Sequence, residues 1–191
     1  MAKKFDPRKI DQLTAPEREE KLHPKALLQS FGLQAGNFMA DIGCGPGFFT
    51  IPAAEIVGPN GKVYAADVQS DMIAAIMTRV ADLGLHQVEI RKTSETEVSL
   101  PERSLHLILI AFMLHEMSQR SLYLHRLRHA LRSDGRIVIL EWEKIPTEVG
   151  PPLEDRLTPE ELTADVRAAG FRVAEQRQIS PEHYALIIVP L

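Results

Sequence analysis

The stretch Ala40-Asp41-Ile42-Gly43-Cys44-Gly45-Pro46-Gly47-Phe48-Phe49 decides how this chain is read. Its approach, Phe38-Met39-Ala40, has the composition of a buried strand end, and three glycines at every second position then turn the chain toward a helical segment. Glycine tolerates positive φ and lets a backbone come close to a ligand, and the N–H groups that open the next helix have no intrahelical partner. The spacing predicts a small-molecule cradle at the carboxyl end of a strand, where open α/β sheets place their ligands. An ordinary glycine-rich turn is the alternative, and the surrounding chain has to decide.

On the amino-terminal side, Pro24 starts a helical pattern through Ala26, Leu27, Leu28 and Phe31, with Gly32 as its stop. On the carboxyl-terminal side the apolar run Phe48 to Val57 predicts a helix. Lys62 to Asp67 and Val88 to Ile90 read as strands, separated by a helix over 71–83 with Met72, Ile73, Ile76, Met77, Val80 and Leu83 on one face. Leu105 to Ala111 is an uninterrupted apolar strand. A helix over 119–131, a strand over 135–142 and a helix over 158–169 follow, the last opened by the capping box Thr158-Pro159-Glu160-Glu161. Two strands, 172–178 and 184–189, close the chain. Strands with little alternation, separated by helices, imply a mostly parallel sheet covered on both faces. The final pair is joined by too few residues for a parallel crossover, so it forms an antiparallel hairpin. The expected fold is α/β and doubly wound, a Rossmann-like seven-stranded sheet with one reversed strand.

The 191 residues suit one domain, with 45% hydrophobic and 25% charged residues. A formal net charge of −4 argues against a nucleic-acid partner. One cysteine excludes an internal disulfide framework and a multi-cysteine zinc site. No apolar run reaches the length of a membrane span, and the start Met-Ala-Lys-Lys-Phe-Asp carries no signal-peptide core, so a cytoplasmic monomer or homodimer is expected. Residues 1–23 stand apart from the 24–191 domain: their polar composition fits a disordered tail, whereas Phe5, Leu13 and Leu22 could anchor an arm over the site.

The glycine turn, the acid that ends the second strand and the antiparallel last hairpin together resemble the class I S-adenosylmethionine-dependent methyltransferases, over roughly residues 24 to 189. The resemblance implies S-adenosylmethionine as cofactor, S-adenosylhomocysteine as product and a small-molecule methyl acceptor. It implies that Asp41, Gly43, Cys44, Gly45 and Gly47 hold the methionine part and that Asp67, with Val68 beside it, receives the ribose hydroxyls. A carboxylate suits that task because it accepts two hydroxyl donors at once. Ser94 and Glu95 fall where the family holds the adenine. Ala111 falls where it admits the methyl end. A nicotinamide-dependent Rossmann oxidoreductase is the main competitor, but its G-x-G-x-x-G fingerprint wants the third glycine one residue later, where this chain has Phe48. Its pyrophosphate would gain nothing from Asp41. A non-catalytic cofactor-binding relative is the other alternative.

Past the fourth strand, His115 is the candidate catalytic residue, as a general base or as a group that positions the acceptor, with Glu116 or another carboxylate to orient it. A histidine that caps the next helix is the plainer reading. Phe112, Glu116 and Trp142 are expected to line the substrate side. Trp142 could stack on a planar substrate or lie under the proline-rich loop 146–155, which reads as part of a lid. His125 and His129 stand four apart on one helix, a metal-compatible spacing, but Arg126 and Arg128 around them favour a solvated face, and no metal is expected. His106 reads as a structural strand-start residue.

Overall fold

A computed structural model describes residues 5–191, so the first four residues of the arm, and most of the Met-Ala-Lys-Lys-Phe-Asp start, lie outside the described residues. Seven strands, β1 (Phe38–Ile42), β2 (Lys62–Asp67), β3 (Val88–Lys92), β4 (Leu105–Ala111), β5 (Leu131–Trp142), β6 (Phe171–Ser180) and β7 (His183–Pro190), form one sheet in the order β3-β2-β1-β4-β5-β7-β6. β1 to β5 pair parallel, and β7 runs antiparallel to both β5 and β6. The strand order therefore reverses between β1 and β4, and the crevice beyond their carboxyl ends is where such a sheet receives ligand.

Alternation along the central strands sorts the helices to two faces. Ile108 and Ile110 of β4, with Ala40 and Ile42 of β1, pack against α5 (Arg120–Leu127) and α6 (Pro159–Ala168) through Leu124, Leu127, Leu162 and Val166. Leu107 and Leu109, with Met39, pack against α2 (Pro24–Ser30) and α3 (Thr50–Val57) through Leu28, Ala53, Ala54 and Val57. α4 (Ser70–Asp82) lays Ile76 on Ala65 of β2. Truncating a fully buried residue such as Ile108 to alanine would cost about 2–5 kcal/mol. The expected capping box forms at α6: the Thr158 hydroxyl accepts the Glu161 N–H at 3.2 Å, and Glu161 Oε2 accepts the Thr158 N–H at 2.7 Å. His106 Nδ1 accepts the Phe38 N–H at 3.0 Å and so ties β4 to the entry of β1.

Several boundaries differ from the sequence reading. α3 begins at Thr50 because residues 44–49 are spent on the glycine turn. α5 ends at Leu127 and passes through a 3-10 turn, and β5 begins at Leu131 because that residue pairs with Leu105 across an irregular register. The segment expected to be either tail or arm forms a 3-10 stretch over Pro7–Thr14 and the helix α1 (Pro16–Leu22), each opened by proline. No described helix is long and apolar enough to cross a membrane.

Candidate active site

The cradle is stitched between the ends of β1 and β2. Gly43 and Cys44 donate their N–H groups to Ala66 O at 2.8 and 3.1 Å. Gly45 donates to Asp67 Oδ2 at 2.9 Å, and Gln69 donates to Asp67 Oδ1 at 2.8 Å. Both glycines hold positive φ, +72° at Gly43 and +53° at Gly45, which explains why glycine is needed there. A Cβ on Gly43 would also meet Met113 Cγ at 3.0 Å.

Asp41 shares its strand face with Met39 and looks toward α3, whose first residue, Thr50, donates its hydroxyl to Asp41 Oδ2 at 2.6 Å. Only 2% of Asp41 is exposed. Burial pushes its carboxyl up to about 6; the Thr50 bond opposes this, the Asp67 charge adds to it and Arg18 opposes it. Burial, with Asp41 and Asp67 nearby, pushes the Cys44 thiol well above its usual range, so Cys44 is a buried wall and no nucleophile.

Across the crevice, β4 ends at Ala111, which pairs with Leu140. Phe112 follows at φ +57°, strained for a bulky residue, and is held there by its N–H on Leu140 O at 2.7 Å. This reversal delivers a 3-10 turn, Leu114–Glu116, carrying His115. The His115 side chain is 7% exposed and places Nδ1 2.9 Å from Oε2 of Glu141, near the end of β5, while Glu141 Oε1 accepts the His115 backbone N–H at 3.2 Å. A carboxylate only accepts, so Nδ1 carries the proton and Nε2 is the basic nitrogen. Burial works to lower the imidazole pKa, but the charge and hydrogen bond of Glu141, aided by Glu116 and Asp155, outweigh it and raise the value. Glu116 sits half-buried on the same turn with its N–H on Met113 O.

Trp142, Phe112 and His183 pack as a ring cluster on the rim, with centroids 4.3 Å apart for Trp142 and His183 and 5.0 Å for Phe112 and His183. His183 Nδ1 lies 2.8 Å from Ser180 Oγ. Burial, with Lys21 and other cations opposed by Glu182, takes His183 down to about 4, so it is neutral near pH 7. The loop beyond Trp142 is wound around Arg156, which is 3% exposed and donates to the carbonyls of Glu143, Ile145, Val149 and Pro151 and to Thr147 Oγ1. Gly150 brings that loop onto the Trp142 ring, where a Cβ would stand 3.0 Å from the indole.

The amino-terminal segment meets the same crevice. Leu13 Cδ1 lies 3.5 Å from the point where a Cβ on Gly45 would stand. Arg18 of α1 holds its guanidinium 4.2 Å from the Phe48 ring centroid and 5.4 Å from that of Phe112.

The structure thus brings Asp41, Gly43, Cys44, Gly45 and Asp67 together on one side and Ala111, Phe112, His115, Glu116 and Trp142 on the other. Val68 is half-buried beside Asp67. Ser94 and Glu95 are exposed in the turn after β3, where the Ser94 hydroxyl accepts the Glu97 N–H at 3.0 Å. Sequence reasoning left four site residues without roles: Arg18, Glu141, Arg156 and His183. Glu141 carried a signal, an acid that closes the apolar run Ile137 to Leu140 at the carboxyl end of a strand. Arg18 carried none among the charges of α1.

These residues fit S-adenosylmethionine. The glycine turn keeps side chains short there, an ammonium group would find a buried negative charge at Asp41, and a ribose diol would find the Asp67 carboxylate at the end of β2. Comparison with known proteins agrees. Residues 39–135 match the family described as methyltransferase domain. A SAM dependent methyltransferase from Aquifex aeolicus superposes with a TM-score of 0.93 at 33% identity, covering 98% of this chain and 100% of that one. A ubiquinone/menaquinone biosynthesis C-methyltransferase of Hahella chejuensis is 28% identical over 125 residues, 65% of this chain and 50% of its own length. A demethylmenaquinone methyltransferase of Bacillus cytotoxicus is 28% identical over 126 residues, 66% of this chain and 53% of its own length. The chain thus spans about half the length of these curated relatives. Match, superposition and cradle converge on one family, and the chain belongs to the S-adenosylmethionine-dependent methyltransferases.

Proposed function

We propose that the protein methylates a small hydroxylated ring of the quinol type, with His115 taking the acceptor's proton. The observation that carries this reading is the His115–Glu141 pair, 2.9 Å apart at the carboxyl ends of adjacent strands beside Phe112. The chemistry the cofactor supplies when bound is a methyl group already activated by sulfonium charge. Such a methyl needs an electron-rich acceptor atom, and His115 Nε2 provides one by removing a hydroxyl proton, whose electron pair stays on oxygen and spreads into the ring. Glu141 keeps the imidazole in the tautomer that can accept and stabilises the imidazolium that results. Phe112 and Trp142 wall the chamber against water, and the Arg156-wound loop backs Trp142. The ring class comes from the relatives named for ubiquinone and menaquinone biosynthesis. Asp41, Gly43, Cys44, Gly45, Gly47, Asp67 and Val68 are assigned to the cofactor in this reading, with Ser94 and Glu95 near its adenine. Glu116 lines the acceptor side. The net charge and single cysteine favour a cytoplasmic monomer or homodimer with no nucleic-acid partner.

The test is transfer of label from methyl-labelled S-adenosylmethionine to a panel of hydroquinols, catechols and simple phenols, with His115→Ala as control. Labelled ring product that falls with His115→Ala supports the reading. Transfer only to non-hydroxylated amines, or transfer undiminished in the variant, rejects it.

A further inference from the structure

Among the described residues of the arm, Arg18 is a charged residue that turns inward. Its helix, α1, is solvent-facing along Glu17, Glu19, Glu20 and Lys21, yet Arg18 is carried under it, across the Phe48 ring and beside Phe112. Its one described hydrogen bond goes to Leu13 O at 2.6 Å, on the arm itself. A guanidinium has five N–H donors in a rigid fork whose geometry matches a carboxylate. Burial takes its pKa down to about 10, and the field of Asp41 acts against that loss. No ion pair joins Arg18 to Asp41 among the described residues, although the charge of Asp41 acts on the guanidinium.

A buried carboxylate that precedes the glycine turn and a partly buried guanidinium with donors to spare, resting on the Phe48 ring that follows the turn, put opposite charges on its two sides. An α-amino acid carries an ammonium and a carboxylate on adjacent atoms, so a zwitterion whose ammonium faces Asp41 turns its carboxylate toward a neighbouring cation. We propose that Arg18 receives the carboxylate at the amino-acid end of the cofactor, and that Asp41 and Arg18 together clasp that zwitterion with the arm as cover. The inference rests on the assignment of the cradle to S-adenosylmethionine. The closure is local: Leu13 already rests against Gly45, and the phenyl ring of Phe48 supports the guanidinium face by a cation–π contact. Cofactor binding then ties residues 5–22 to the domain by a charge-assisted, two-pronged bond.

Three ligands separate the parts of this clasp in calorimetric titrations at pH 7.5: S-adenosylhomocysteine, its decarboxylated amine S-adenosyl-3-thiopropylamine, and 5′-methylthioadenosine, which lacks the whole amino-acid end. Arg18→Met should weaken S-adenosylhomocysteine about tenfold or more, the size expected for a lost hydrogen bond to a charged group, and leave the other two unchanged. Arg18→Lys should restore part of the loss. Trypsin supplies a second readout: cleavage at exposed Arg8 and Lys9 should slow with S-adenosylhomocysteine in the wild type, and not with 5′-methylthioadenosine. Equal losses for all three ligands in Arg18→Met would make the arm a cover without a carboxylate site and overturn the proposal. Unchanged binding of S-adenosylhomocysteine would overturn it too. If benzoate then bound the S-adenosylhomocysteine-loaded wild type and not Arg18→Met, the carboxylate would belong to the acceptor. A wild type that bound none of the three nucleosides would instead reject the cradle assignment beneath it.

Discussion

Glu141 grips His115 twice, with Oε2 at 2.9 Å from the ring Nδ1 and Oε1 on the backbone N–H at 3.2 Å. The two contacts fix both the tautomer and the position of the turn that carries the ring. The second contact adds to the anchorage that buried Leu114 gives the 3-10 turn Leu114–Glu116.

Glu141→Gln should therefore change the pH profile of methyl transfer. A base must be unprotonated to act, so the wild-type rate should rise with pH through the raised His115 pKa. The amide keeps the shape but loses the charge, so the midpoint should move to lower pH and the plateau should fall about tenfold to a hundredfold. S-adenosylhomocysteine affinity should hold. An unmoved midpoint would show that the pair is structural only.

The same pair makes a stability prediction. Because the folded His115 pKa lies above its usual 6.5, the pair stabilises the fold fully below 6.5, and that contribution is lost as pH rises through the folded pKa. Thermal melts from pH 5 to 9 should show this decline in the wild type, and a flatter profile in Glu141→Gln.

Much of this was legible in the sequence because it rests on local patterns. Uninterrupted apolar runs marked the buried strands, and Thr158 to Glu161 marked the start of α6. Glycines at 43, 45 and 47 marked the turn because positive φ leaves little choice of residue. The His115–Glu141 pair was half legible: His115 stood at a strand exit, but its partner is 26 residues away and meets it only because β4 and β5 are neighbours. Arg18 and Arg156 were illegible for the same reason. An arginine in a charged helix or a proline-rich loop looks solvated until tertiary structure turns it inward.

Arg156 should prove to be the organiser of its loop. Its guanidinium binds four backbone carbonyls and the Thr147 hydroxyl, and it sits 5.1 Å from the Trp142 ring centroid. Lysine has three donors on a flexible stem and cannot serve this ring of acceptors. Arg156→Lys should cost about 1–3 kcal/mol through carbonyls left unpaired. Trp142 is the single tryptophan, so its emission should shift to the red as the loop loosens. A wild-type spectrum and melting temperature in the variant would refute the assignment.

Asp41 should show a conflict between stability and binding. Its carboxyl is raised to about 6 from the usual 3.8 because burial disfavours the anion; Thr50 and Arg18 offset part of that cost and Asp67 adds to it. The neutral acid thus favours the fold below 3.8, and that advantage disappears as pH rises through 6. Above 6 the buried anion is a burden of up to about 3 kcal/mol, which a further nearby cation would relieve. Asp41→Asn keeps an acceptor for the Thr50 hydroxyl and removes the charge. The variant should therefore melt at or above the wild-type temperature at pH 7.5, yet bind S-adenosylhomocysteine about tenfold more weakly, because the ammonium has lost its partner. In the wild type, affinity should climb as pH passes through about 6 and then level off; in the variant that climb should be absent. A variant both less stable and equally tight in binding would mean that Asp41 serves only to orient Thr50 and the glycine turn.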